Sequence, residues 1–157
     1  SHFCVRACEK LRAQKSVASR VTVFLRTSPH GRGAYYSQQA SCVLPYPTDD
    51  TSRILAVAQS CLCRVYVAGH PFRKTGVLLS DLSSSQTGQI DCFQAMAGGS
   101  CSDHRDKLMS VIDQMNSRWG RGTIRFASEG SAKTWLQRAA WRSKRYTTAW
   151  SELPEVH

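Results

Sequence analysis

The sequence predicts an α+β fold: one antiparallel sheet backed by two helices, then a small helical or mixed extension. Three observations carry this. Helical and strand-like periods alternate over residues 1–85. The strand-like runs outnumber what two helices bury alone, and a single sheet covered on one face resolves that. Two small-residue stretches, Ser83-Ser84-Ser85 and Gly98-Gly99-Ser100, then mark off the remainder. The expected division is residues 1–85 as the sheet domain, 86–97 as a linker, and 98–157 as the extension.

Residues 3–15 read as a helix, with Cys4, Ala7, Cys8 and Leu11 on one stripe. Residues 20–27 (RVTVFLRT) are rich in β-branched residues and read as a strand. Ser28 to Gly33 is a turn-rich loop, and residues 35–44 form a second strand that Pro45 and Pro47 are expected to stop. Thr48-Asp49-Asp50-Thr51 is a helix-capping cluster, because Ile54, Val57, Ala58, Cys61, Leu62 and Val65 follow at once on one helical face. Gly69-His70-Pro71 ends that helix, and residues 74–82 give a third strand. Gln86 to Met96 fits no regular element. A further helix runs from about Ser102 to Trp119, with Leu108, Val111, Ile112, Met115 and Trp119 as its inward stripe. Thr123–Ala127 alternates as a strand, and residues 131–142 read as a helix with Trp135, Leu136 and Ala139 inward.

The chain carries 21 Lys and Arg against 11 Asp and Glu, a net charge of +10. Such a balance favours polyanionic partners, since neutralising phosphates releases counterions. The excess lies in two blocks, +7 over residues 1–85 (11 basic, 4 acidic) and +5 over 118–157 (8 basic, 3 acidic), with −2 between them (2 basic, 4 acidic). No apolar run is long enough to span a bilayer, and residues 1–20 lack a signal-peptide core. The seven cysteines, among them Cys4, Cys8, Cys42 and Cys61 at core-like positions, suit buried thiols in a reducing cytoplasm. Cys61-Leu62-Cys63 lacks a second ligand pair, so no metal is expected.

Catalytic chemistry finds no seat here. The histidines (2, 30, 70, 104, 157) stand in no triad context, no phosphate-cradling glycine loop opens a helix, and Asp49-Asp50 is explained by capping. Two patches favour binding. Arg26-Thr27-Ser28 ends one strand and Arg73-Lys74-Thr75 begins another, so cations and short hydroxyls meet at strand ends where they suit phosphate oxygens. Gln89-Ile90-Asp91-Cys92-Phe93 has the composition of an extended peptide that docks in a partner's groove.

These residues resemble a family. Ala7-Cys8-Glu9-Lys10-Leu11-Arg12, Val23-Phe24-Leu25-Arg26-Thr27-Ser28-Pro29, Tyr35-Tyr36, Arg73-Lys74-Thr75-Gly76-Val77-Leu78-Leu79, Gly120-Arg121-Gly122-Thr123 and Arg145-Tyr146-Thr147-Thr148 are similar, collinearly, to the carboxy-terminal part of the UmuC-type Y-family DNA polymerases. The resemblance implies that residues 1–85 are a little-finger domain, a four-stranded sheet with two helices that grips primer and template backbones. By position it assigns DNA contacts to Arg26, Thr27, Ser28, Arg73, Lys74 and Thr75, with Tyr36 and Ser41 on the strand between. It places a sliding-clamp peptide at Gln89–Phe93, with Cys92 standing where the family has Leu. It makes RecA and a UmuD-type subunit partners of residues 98–150. The palm, with its magnesium-binding carboxylates, has no counterpart here, so no cofactor and no catalysis are expected of this chain.

The family's domain begins with a strand ahead of the first helix, whereas this chain starts within that helix. An unpaired sheet edge is therefore expected, open to dimerisation or to filling by Thr123–Ala127. The resulting expectation is a cytoplasmic, non-catalytic, DNA-binding and partner-binding part of an error-prone polymerase of the SOS response. The alternatives are a standalone sliding-clamp adaptor and a basic RNA-binding domain that stacks bases on Phe24 and Tyr36.

Overall fold

The computed structural model describes residues 1–30, 34–85, 100–130 and 143–153, with side chains beyond the linker described from His104 onward. The elements are α1 (His2–Ala13), β1 (Ser16–Thr27), β2 (Ser37–Thr48), α2 (Thr51–Val65), β3 (Phe72–Ser84) and α3 (Ser100–Trp119). Single 3-10 turns follow at Ala127–Glu129 and Trp150–Glu152. The strands form one antiparallel sheet in the order β2-β1-β3. The α+β class predicted from the sequence is the class observed. Where the resemblance implies four strands, three are present among the described residues. The linker peptide Gln89–Phe93 and the helix expected at 131–142 lie outside them.

Alternation in β1 decides which side of the sheet is covered. Val21, Val23 and Leu25 are buried, and their cross-strand neighbours Cys42, Ala40, Leu79 and Val77 lie on the same face. Against that face pack Cys4, Cys8 and Leu11 of α1 and Ile54, Leu55, Ala58 and Cys61 of α2. Cys4, Cys8 and Cys61 are fully buried, and with Cys42 and Cys63 they are free thiols. Burial and a hydrogen bond with Cys42 push the Cys61 thiol up to about 11. A hydrogen bond with Cys4, and then burial, push the Cys8 thiol up as well.

Asp50 starts α2. Its carboxylate accepts from the Ser52 amide at 2.8 Å and from the Ser52 hydroxyl at 2.6 Å. It also receives Arg105 of α3 at 2.7 Å. Burial alone would raise the Asp50 pKa. The Ser52 hydroxyl and Arg105 outweigh it and hold the carboxyl below the usual range. A depressed carboxylate stabilises the fold above its unfolded pKa, about 3.9, and that contribution is lost as pH falls through the lower folded value. Asp50→Ala is therefore expected to cost about 1–2 kcal/mol near neutral pH, mostly through the lost cap. The cost should shrink at acid pH, as urea melts at several pH values would read. A cost that does not vary with pH would contradict this assignment.

Three elements differ from expectation, each for a physical reason. β2 runs through Pro45 and Pro47 to Thr48. The register jumps from Arg20↔Val43 to Ala18↔Thr48, so Leu44, Pro45, Tyr46 and Pro47 bulge where no ladder amide is needed. Thr123–Ala127 is not a strand and fills no sheet edge. Gly120 and Gly122 have φ of +102° and +85°, and the segment turns back to lie along α3, where Asn116 bonds both the amide and the carbonyl of Ile124. α3 is also rotated from the expected stripe. Met109 is 3% exposed, whereas Leu108, Val111 and Trp119 are 53%, 49% and 58% exposed. Polar ties set the rotation: Arg105 to Asp50, and Asp113 to Arg12 at 2.6 and 2.8 Å.

Candidate nucleic-acid interface

Arg20, Thr22, Phe24 and Arg26 of β1 face away from the helices. Each sits in a row with its neighbours: Val43-Arg20-Ser80, Ser41-Thr22-Leu78, Gln39-Phe24-Gly76 and Ser37-Arg26-Lys74. Cross-strand partners share a face, so these rows form one uncovered surface. It is made of cations, amides, hydroxyls and two exposed apolar side chains, Val43 and Leu78. The three strands contain one acid, Asp81, which pairs with Arg20 at 2.8 Å.

Arg26 and Lys74 are direct cross-strand neighbours at one end of this surface, and both are exposed. The Arg26 guanidinium lies 5.4 Å from the centre of the Phe24 ring. Phe24 in turn lies over Gly76, where a Cβ would stand 2.3 Å from the ring. The aromatic ring fills the space that glycine leaves and supports the arginine. Arg73 is exposed beside them, in the register shift between Arg26↔Lys74 and Thr27↔Phe72.

The other predicted contacts fall elsewhere. Thr27 is buried, and its hydroxyl accepts from the Tyr36 amide at 2.9 Å to close the β1–β2 hairpin. Tyr36 donates its hydroxyl to the Val65 carbonyl at 2.6 Å, stacks on His70 at 4.7 Å and meets Phe72 edge-on. Thr75 pairs with Leu25 and so belongs to the helix-side face. Ser28 follows β1, and its hydroxyl accepts from the His30 amide. Ser41 lies on the uncovered surface and shares a hydrogen bond of 2.8 Å with Thr22. The structure thus groups Arg26, Lys74 and Ser41 on one face, leaves Arg73 exposed at the register shift, and separates them from Thr27, Tyr36 and Thr75. Arg20, Ser37, Gln39 and Gly76 join the surface unannounced. The signal for them was present, because once Val21, Val23 and Leu25 are read as inward, the intervening residues must point out.

What the arrangement offers chemically is adjacent cations and hydroxyls on a nearly acid-free sheet face. Among the described residues no group of three or more His, Cys, Asp or Glu is placed to hold a metal ion. No helix among them is long and apolar enough to cross a membrane.

A three-stranded antiparallel sheet with helices on one face and cations on the other defines an α+β domain with one basic, uncovered face. The chain belongs to the impB/mucB/samB family, whose C-terminal domain model matches residues 1–92. Residues 106–156 match a second family, described as a domain of unknown function, DUF4113. Among individual relatives, Protein UmuC of Salmonella typhimurium is 35% identical over 157 residues, covering 98% of this chain and 36% of that protein. Protein SamB of Salmonella typhimurium is 35% identical over 150 residues (95% of this chain, 34% of that protein). Protein MucB of Escherichia coli is 34% identical over 153 residues (97% and 35%). The chain therefore spans about a third of the length of the curated relatives it matches.

Proposed function

We propose that this chain is the DNA-binding and partner-binding end of an error-prone, lesion-bypass DNA polymerase that serves tolerance of DNA damage in the SOS response. Family membership supports the polymerase context. The observation that carries the DNA reading is the Arg26–Lys74 pair on the uncovered, nearly acid-free sheet face. These cations hold phosphates of the primer–template duplex and read no bases, so the contribution is positional. Bond making belongs to a palm domain that would carry the magnesium ions. The protein works in the cytoplasm. Gln89–Phe93 engages the sliding clamp, and the extension meets RecA and a UmuD-type subunit.

The test is fluorescence anisotropy on duplex DNA across a salt series. Arg73→Ala combined with Lys74→Ala should weaken binding to all sequences alike. Each phosphate contact removed should flatten the slope of log K against log salt by about 0.9. An unchanged slope would place the DNA on another surface. In the same assay, deletion of residues 89–93 should leave DNA binding intact while abolishing retention on isolated clamp. Clamp retention by the deleted chain would remove that part of the proposal.

A further inference from the structure

A groove of about 670 Å³ runs between α1 and residues 121–129, in the helix layer and apart from the sheet face. Its apolar lining comes from Val5, Ile112, Ile124 and Phe126. Most charges along it are already matched. Arg6 pairs with Glu9 at 2.9 Å and Arg12 with Asp113 at 2.6 Å, while the buried Glu129 carboxylate lies 3.8 Å from His2, an ion pair only when that imidazole is protonated. Arg121 and Arg125 also line the groove, and neither has an ion-pair partner among the described residues.

The wall that carries these two arginines is built in advance. The positive-φ glycines at 120 and 122 turn the chain, and the Thr123 hydroxyl closes the turn onto the Gly120 carbonyl at 2.8 Å. Asn116 then fixes Ile124 to α3 through two hydrogen bonds. The Arg125 side chain runs beside Gly122, where an added Cβ would stand 3.7 Å from it.

We infer that this groove docks a short acidic segment of a partner protein, one that carries an apolar side chain between its carboxylates. Two surplus guanidiniums beside an apolar floor match that chemistry, because a carboxylate accepts a guanidinium fork while the apolar side chain leaves water. A phosphate backbone fits less well. It presents charge at every step, and Glu9, Asp113 and Glu129 line the same groove. A peptide places its carboxylates only opposite Arg121 and Arg125.

The experiment titrates the full chain into a short fluorescent peptide alternating Glu and Leu, with labelled single-stranded oligothymidine as the second probe. The peptide should bind, and replacing its leucines by serine should weaken it. Arg121→Gln with Arg125→Gln removes charge from exposed positions while leaving a shorter polar side chain at each, and should lower peptide affinity by roughly tenfold or more. Lys74→Gln, on the sheet face, should leave peptide affinity unchanged. That control separates failure here from failure of the DNA reading. Equal peptide affinity in the Arg121/Arg125 variant would overturn the inference. So would oligothymidine binding that is lost in that variant while the peptide fails to bind, which would make the groove a nucleic-acid site.

Discussion

Arg12→Ala is expected to destabilise the chain by about 3 kcal/mol and to release α3 from the helix layer. Arg12 grips Asp113 through Nε at 2.6 Å and Nη2 at 2.8 Å. Its remaining nitrogen, Nη1, donates to the Asp49 carbonyl at 2.9 Å and to the Thr51 hydroxyl at 2.8 Å. One guanidinium therefore joins α1, the start of α2, and α3. Its side chain is 10% exposed and that of Asp113 is 32% exposed. Removing one partner of a buried pair costs about 3–5 kcal/mol, and the access of Asp113 to water sets the low end here. Thr51 is fully buried, so its hydroxyl would lose the Nη1 donor inside the core. Urea denaturation measures the loss, and hydrogen exchange of the α3 amides reports the release. Arg12→Lys should recover only part of it, because an ammonium cannot reproduce the two-pronged geometry. Native stability in Arg12→Ala would show that α3 is held without Arg12.

Gly76→Val is expected to damage the proposed DNA face more than the fold. A Cβ at position 76 would lie 2.3 Å from Cζ and 2.5 Å from Cε1 of Phe24. The ring must swing away, at a cost of about 1–3 kcal/mol for an overpacked site. Phe24 supports the Arg26 guanidinium, so its displacement should scatter the Arg26–Lys74 pair and weaken duplex binding. Adding Phe24→Ala makes room for the valine. The double variant should regain most of its thermal stability, yet not its DNA affinity, because the support for Arg26 is gone. A double-mutant cycle with melting and anisotropy readouts separates the two effects. Full DNA affinity in Gly76→Val would dissociate Phe24 and Arg26 from the interface.

Much of the architecture was legible beforehand. The α2 signal was doubled, since Asp50 at the cap and the Ile54, Ala58, Cys61 and Val65 stripe are both local and agree. Residues 20–27 read as a strand, and in β1 Val21, Val23 and Leu25 do alternate onto one buried face. Local period was not sufficient for α3. Leu108, Val111 and Trp119 formed an attractive stripe, yet Arg12 and Asp50 turn Asp113 and Arg105 inward from 101 and 55 residues away. Binding residues divided in the same way. Arg26 and Lys74 are long cations whose exposure follows from strand parity. Thr27 and Tyr36 were also plausible phosphate ligands by type, but their hydroxyls are consumed inside the hairpin and against α2.

By itself, then, the sequence determined the α+β class, the buried stripes of α1 and α2, and the basic character of the chain. These depend on periodicity and composition, which neighbouring residues set among themselves. Tertiary structure alone decided which face of α3 turns inward, how β2 carries two prolines, and which polar groups remain available on the sheet. Those outcomes depend on hydrogen bonds and ion pairs between residues far apart in the chain, and only the folded geometry brings their partners within reach.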